Sequence, residues 1–199
     1  MKKILTIVLT TIVLSFFSIQ AKAQVEKGTV IVEPYYGFSL FSHAFLQTYE
    51  SNNSVKSEFN GLGPMGVRFE YFVSNLIGLG FDANYKSIEL VDYYSSGSNE
   101  YNQSISSEQI RVMGRLNLHF VRTKTVDFYA GTGIGYKSNS WKFTTTDPYG
   151  TESDYDAIIP MAFRMSTGVR VFFTNNLGVN FELGIAGGSF ATAGLTLKI

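Results

Sequence analysis

The sequence predicts an all-β fold, an eight-stranded antiparallel up-and-down β-barrel, on three observations. Apolar and polar residues alternate with period two along most of the chain. No segment after residue 23 shows a period near 3.6. One hairpin-sized phrase occurs twice, as GVRFEYFVSNLIGLGFD at 66–82 and as GVRVFFTNNLGVNFE at 168–182. Successive side chains of a strand point to opposite faces, so such alternation marks strands with one apolar and one polar face.

Taken in order, the first strand runs from about Thr29 to Phe41, with Glu33 on its polar face. In the second, Val67, Phe69 and Tyr71 alternate with Arg68 and Glu70. A turn near Ser74-Asn75 leads to the third, where Ile77, Leu79, Phe81, Ala83 and Tyr85 oppose Gly78, Gly80, Asp82, Asn84 and Lys86. In the fourth, Ile110, Val112, Leu116, Leu118 and Phe120 oppose Arg111, Met113, Arg115, Asn117 and His119. After a turn at Arg122 to Thr125, Phe128, Ala130, Thr132, Ile134 and Tyr136 oppose Asp127, Tyr129, Gly131, Gly133, Gly135 and Lys137. The sixth sets Met161, Phe163, Met165, Thr167, Val169 and Val171 against Arg164, Ser166, Gly168 and Arg170. The seventh sets Leu177, Val179, Phe181, Leu183 and Ile185 against Gly178, Asn180, Glu182 and Gly184. Leu195, Leu197 and Ile199 close the chain against Thr196 and Lys198. Eight is an even number, as closed antiparallel barrels of bacterial membranes have. With a third hairpin of the same plan, GRLNLHFVRTKTVDFYAG at 114–131, the repeats are then successive hairpins of one meander.

Alternation does not say which face is outside: a soluble barrel hides its apolar face and a membrane barrel shows it to lipid. Three features favour lipid. The polar faces are rich in glycine, which suits a crowded interior better than a soluble exterior, where Lys and Glu would dominate. The apolar faces carry no charged residue, and aromatics near strand ends (Tyr36, Tyr71, Phe72, Tyr85, Phe120, Phe128, Tyr136, Phe172, Phe173) supply interfacial girdles. The connections are lopsided: short near 73–76, 121–125 and 174–176, long and polar near 42–58, 91–107 and 138–157, with one short outer turn near Ala186–Gly188. Short periplasmic turns and long outer loops are the usual membrane-barrel arrangement. The competing reading is a soluble lipocalin-like barrel.

The chain begins MKKILTIVLTTIVLSFFSIQAKAQ, which reads as a secretory signal: Lys2 and Lys3, an apolar run from Ile4 to Ile19, then Ala21-Lys22-Ala23 before a cleavage point. The apolar run is shorter than the roughly 18 residues of a spanning helix. Residues 1–23 are therefore expected to be removed and 24–199 to form the barrel domain. Loss of Lys2, Lys3 and Lys22 lowers the basic count from 16 to 13 against 16 acids, a net charge of −3. That balance argues against nucleic acid as a partner. With no cysteine there is neither a disulfide framework nor a thiolate metal site, and no cofactor or metal is expected.

At this point the sequence resembles the eight-stranded outer-membrane β-barrel proteins, of the OmpA transmembrane-domain and OmpX type, over its whole length after residue 23. The resemblance rests on the signal segment, the hairpin repeats and the final alternating strand LTLKI. It implies residence in the outer membrane, contact with outer-membrane lipid and lipopolysaccharide, and insertion by the barrel-assembly machinery. Such proteins typically end in an aromatic residue; this chain ends in Ile199.

An eight-stranded interior is just wide enough for side chains to fill it. Here it would hold Arg68, Lys86, Arg111, Arg115, Lys137, Arg164, Arg170 and Lys198 against Glu33, Glu70, Asp82, Asp127 and Glu182. These groups should pair, because an isolated charge in a narrow tube is costly. The expectation is a polar plug in place of an apolar core; the alternative is an anion-selective lining, given three surplus cations. Among candidates for chemistry, His119 follows the inward alternation and reads as a hydrogen-bonded lumen residue. His43 beside Ser42 raises a lipid A hydrolase, but no local sequence supplies the third, orienting group, and the protein is read as no enzyme. Gly131-x-Gly133-x-Gly135 lacks dinucleotide spacing. Asp147, Glu152, Asp154 and Asp156 lack the order of a calcium loop. Val91–Ser107 and Ser138–Asp156 are rich in Tyr, Ser, Gly and Asn, residue types that serve adaptable recognition surfaces. The functional expectation is a structural or surface-interaction role through these outer loops, with an extracellular ligand there; a narrow channel or conduit for small solutes or apolar molecules is the alternative.

Overall fold

A computed structural model describes residues 25–38, 56–96, 99–148, 151–156 and 160–199. Nine strands are formed: β1 (Val30–Phe38), β2 (Lys56–Phe72), β3 (Ile77–Ser96), β4 (Asn99–Arg122), β5 (Val126–Thr145), β6 (Ser153–Asp156), β7 (Met161–Phe172), β8 (Leu177–Ala186) and β9 (Ala191–Lys198). Eight of them close into the expected antiparallel barrel. Every neighbour in sequence is a neighbour in space, β4 pairs β5, and β1 pairs β9 to shut the ring. The ninth, β6, only adds to the outer part of β5, with Trp141 opposite Tyr155.

Polarity is inverted relative to a soluble protein. Arg170, facing inward from β7, is 1% exposed, whereas Ile185, facing outward from β8, is 64% exposed. Leu79, Phe81, Val112, Leu116, Phe181 and Leu195 are likewise exposed, forming an apolar belt with no core to cover it. Aliphatic and aromatic side chains in that position need lipid as their solvent.

The three tight turns at one end share a device that the repeated phrase encodes. Ser74 Oγ accepts from the amides of Leu76 and Ile77 at 3.2 and 3.1 Å. Thr123 Oγ1 accepts from Thr125 and Val126 at 3.3 and 2.9 Å, and Thr174 Oγ1 from Asn176 and Leu177 at 3.3 and 3.0 Å. A hydroxyl at the first turn position satisfies amides that the ladder leaves open.

Two expectations need correction. The segments 91–96, 99–107 and 138–145 are strand, not loop: β3 and β4 pair without interruption from Ile77↔Leu118 to Ser96↔Asn99, and β5 stays on β4 to Gln103↔Thr145. Both strands leave the membrane there, so neither face need be apolar and the hydrophobic alternation fades while the backbone ladder continues. A membrane crossing takes about 9–11 residues; β4 has 24, and β7 to β9 have 12, 10 and 8. On one rim the wall made by β2 to β5 therefore stands well above the rest. The second correction concerns the girdles. Tyr36, Tyr71, Phe120, Phe128, Tyr136 and Phe173 are exposed as expected, but Phe72 and Phe172 are fully buried with Val25 and Ile31. They share the parity of Arg68, Glu70 and Arg170, which point inward, so they close the periplasmic end of the lumen rather than facing lipid.

Candidate functional site: the lumen and its mouth

The lumen is built in layers, each fixed by strand register. Above the Phe72 and Phe172 floor lies Arg170. Its Nε and Nη2 reach Glu33 at 2.8 and 3.2 Å, Nη1 reaches Asp127 at 2.9 Å, and Nη2 reaches Glu70 at 2.5 Å. His119 bridges two of the same carboxylates, with Nδ1 2.8 Å from Asp127 and Nε2 2.9 Å from Glu70. Ionised carboxylates only accept, so the site is matched to a doubly protonated ring that donates from both nitrogens. Thr196 Oγ1 donates to Glu33 at 2.7 Å.

The next layer centres on Glu182. It receives Arg115 Nη2 at 2.6 Å, Arg164 Nε at 3.0 Å, Arg68 Nη2 at 3.3 Å and the Tyr129 hydroxyl at 2.9 Å. Asp82 takes the remaining arms: Arg68 Nε at 3.3 Å, Arg115 Nη1 at 3.2 Å and the Tyr35 hydroxyl at 2.6 Å. The Tyr129 ring stacks over Arg170, 4.4 Å from its guanidinium carbon. Gly168 makes room for that ring, since a Cβ there would lie 2.5 Å from the Tyr129 hydroxyl.

Together these layers set four arginines and His119 against five carboxylates, all buried. Charge closes to zero, and nearly every polar atom is used, the condition under which buried ion pairs are tolerable. Of the sequence-named residues, Glu33, Arg68, Glu70, Asp82, Arg115, Asp127, Arg164, Arg170 and Glu182 meet here. Lys198 does not: it lies over Phe172, 5.7 Å from the ring centre, at the periplasmic end. Lys86, Arg111 and Lys137 do not either. They stand at the opposite mouth, where they line a cavity of about 630 Å3. His43 and Ser42 lie outside the described residues. Asp154 sits opposite Lys142 in the β5–β6 ladder, and Asp147 accepts from the Tyr94 hydroxyl at 3.2 Å.

Sequence reasoning centred on charge passes over Tyr35, Tyr129, Asn180, Thr192 and Thr196, which fill the space between the ions. Asn180 Nδ2 donates to the Leu195 carbonyl at 2.9 Å, and Arg68 Nη2 donates to Thr192 Oγ1 at 2.7 Å. Their inward parity was the available signal.

A closed eight-stranded antiparallel wall, apolar without and ionic within, defines a transmembrane β-barrel of the outer membrane. The chain belongs to the outer membrane protein beta-barrel domain family, whose model matches residues 9–194. Similar solved structures include the N-terminal β-barrel domain of OprF from Pseudomonas aeruginosa, at 12% identity, covering 88% of this chain and 100% of that one with a TM-score of 0.44. OprG from the same organism aligns at 10% identity over 90% and 99%, TM-score 0.48. Ail, the attachment invasion locus protein of Yersinia pestis, aligns at 10% over 88% and 100%, TM-score 0.42. No curated protein matches the chain.

Proposed function

We propose that the protein is a surface-interaction barrel: a plugged membrane anchor that holds a raised β-sheet and its loops outside the cell. The supporting observation is the unequal rim, where β3 and β4 continue for 20 and 24 residues while β7 to β9 stop at the membrane surface. A sheet that projects beyond the bilayer serves no barrel-closing purpose, and its outer part carries the Tyr-, Ser- and Asn-rich segments suited to contact. The ion network of Glu33, Arg68, Glu70, Asp82, Arg115, Asp127, Arg164, Arg170 and Glu182 acts in this reading as the core that makes the anchor rigid. Residues 1–23 are the export signal, so the outer-membrane form begins at Gln24, which N-terminal sequencing would read directly.

The test pairs two measurements. Replacing 91–107 by a two-residue turn should leave a folded barrel, seen as unchanged heat-modifiable gel mobility, while cells displaying it lose the surface adherence that the full-length protein confers. In planar bilayers the intact protein should give no unitary conductance. Reproducible conductance abolished by changing Arg111 and Arg164 would establish the channel reading instead, and release of acyl chains from lipid A, lost in His43→Ala, would establish the hydrolase.

A further inference from the structure

The barrel closes where β1 meets β9, and the ladder lapses partway along that seam. The two strands pair at Ile31↔Lys198 and Val32↔Leu197 and resume at Tyr35↔Gly194 in the same register. That register sets Glu33 opposite Thr196 and Pro34 opposite Leu195 in between. Val30 and Ile199 exchange both backbone hydrogen bonds, at 3.1 and 2.9 Å. Every second pair of an antiparallel ladder does so, and four residues along the strand that pair is Pro34 and Leu195. Proline has no N–H, so β1 offers the Leu195 carbonyl no donor at the place where a ladder bond is due. Such a residue usually sits on an edge strand, and a closed ring has no edge. Pro34 is exposed on the lipid-facing side, and lipid has no donor to give the open carbonyl.

The missing donor comes from the lumen. Lys198 donates to Asn176 on β8, so even residues of β9 turn their backbone groups to β8 and odd residues, Leu195 among them, to β1. Asn180, fully buried on β8 opposite Gly194, reaches across the inner side of β9 to that carbonyl. Its Nδ2 donates to the Leu195 oxygen at 2.9 Å and to Thr196 Oγ1 at 3.3 Å. The amide is oriented by its other end: Oδ1 faces Arg68 Nη1 at 3.5 Å, and a guanidinium only donates. Thr196 then passes its own hydroxyl proton across the seam to Glu33 at 2.7 Å, and Glu33 is held by Arg170. Where the backbone ladder lapses, side chains on the lumen side take its place.

We propose that Asn180 is the latch of the closing seam: it gives the Leu195 carbonyl the hydrogen bond that Pro34 cannot, and its loss loosens β1 from β9 before any other pair of strands. The wall between lumen and lipid is held shut at this height by a side chain that other residues of the lumen position. This latch is independent of the surface-interaction reading.

The test is amide hydrogen exchange, read by NMR on the full barrel in lipid nanodiscs. Asn180→Ala should speed exchange at Val32 and Leu197 by about tenfold or more, as a carbonyl left without its donor implies. The amides of Leu79 and Leu116, in the β3–β4 ladder, should change by less than about twofold. Pro34→Ala gives residue 34 an N–H of its own, and in that background Asn180→Ala should speed exchange at Val32 and Leu197 by less than about threefold. The amide at 34 should itself exchange as slowly as that of Val32. Equal acceleration in both backgrounds, no acceleration in the first, or free exchange at residue 34 overturns the latch. Where Asn180→Ala alone does not fold, recovery of the folded barrel on adding Pro34→Ala bears the latch out, and failure of the double variant overturns it.

Discussion

Arginine occupies two very different places in this lumen. In the midsection Arg170 uses all of its nitrogens on Glu33, Glu70 and Asp127, beneath a tyrosine ring and above an apolar floor. At the mouth Arg111, nearly as buried, has one side-chain acceptor among the described residues, Gln109, and stands beside three cations, Lys86, Lys137 and Arg164. The residue type and the strand geometry are the same; only the partners differ. The midsection matches each guanidinium to carboxylates, whereas at the mouth Arg111 Nε and Nη1 make no hydrogen bond among the described residues.

The largest expected effect breaks the complete region. Arg170→Met leaves three buried carboxylates to His119 and Thr196, and should destabilise the barrel by about 3–5 kcal/mol, measured as a shift in the urea midpoint for folding in lipid vesicles. A third location for arginine sharpens the contrast. Val112→Arg puts the guanidinium on the lipid face opposite Ala83, and should cost about 2–4 kcal/mol near the membrane midplane in the same assay. Gly168→Ala changes no charge, but its Cβ displaces the Tyr129 ring and with it the hydroxyl bonded to Glu182; the cost should be about 1–3 kcal/mol. The smallest effect belongs to the mouth. Arg111→Gln removes a like-charge contact and should change stability by less than about 1 kcal/mol, toward greater stability. Should Arg111→Gln prove as damaging as Arg170→Met, the two regions are energetically alike and the contrast fails.

Much of this was legible along the chain. Inward and outward faces of β2, β3, β4, β5, β7, β8 and β9 follow strand parity through the membrane, apart from the bulge at Phe120-Val121 in β4, because lipid excludes charged side chains from one face. The Ser and Thr turns are visible in the repeated hairpin. The length of β3 to β5 was not legible. Once the strands leave the bilayer, Gln103, Ser104, Ser106 and Ser107 keep their place in the backbone ladder with no apolar alternation to mark it, and polar composition then reads as loop. Phe72 and Phe172 were misplaced because aromatic character was weighed above parity.

By itself, then, the sequence determined that the chain forms strands, how many enclose the barrel, and which residues face inward, since all three depend on a period-two pattern that lipid and lumen impose locally. Which cations meet the midsection carboxylates and which stand at the mouth was decided only by the closed barrel. Shear and register set the height of each side chain in the tube, and residues up to 163 positions apart, such as Thr196 and Glu33, meet only when the ring shuts.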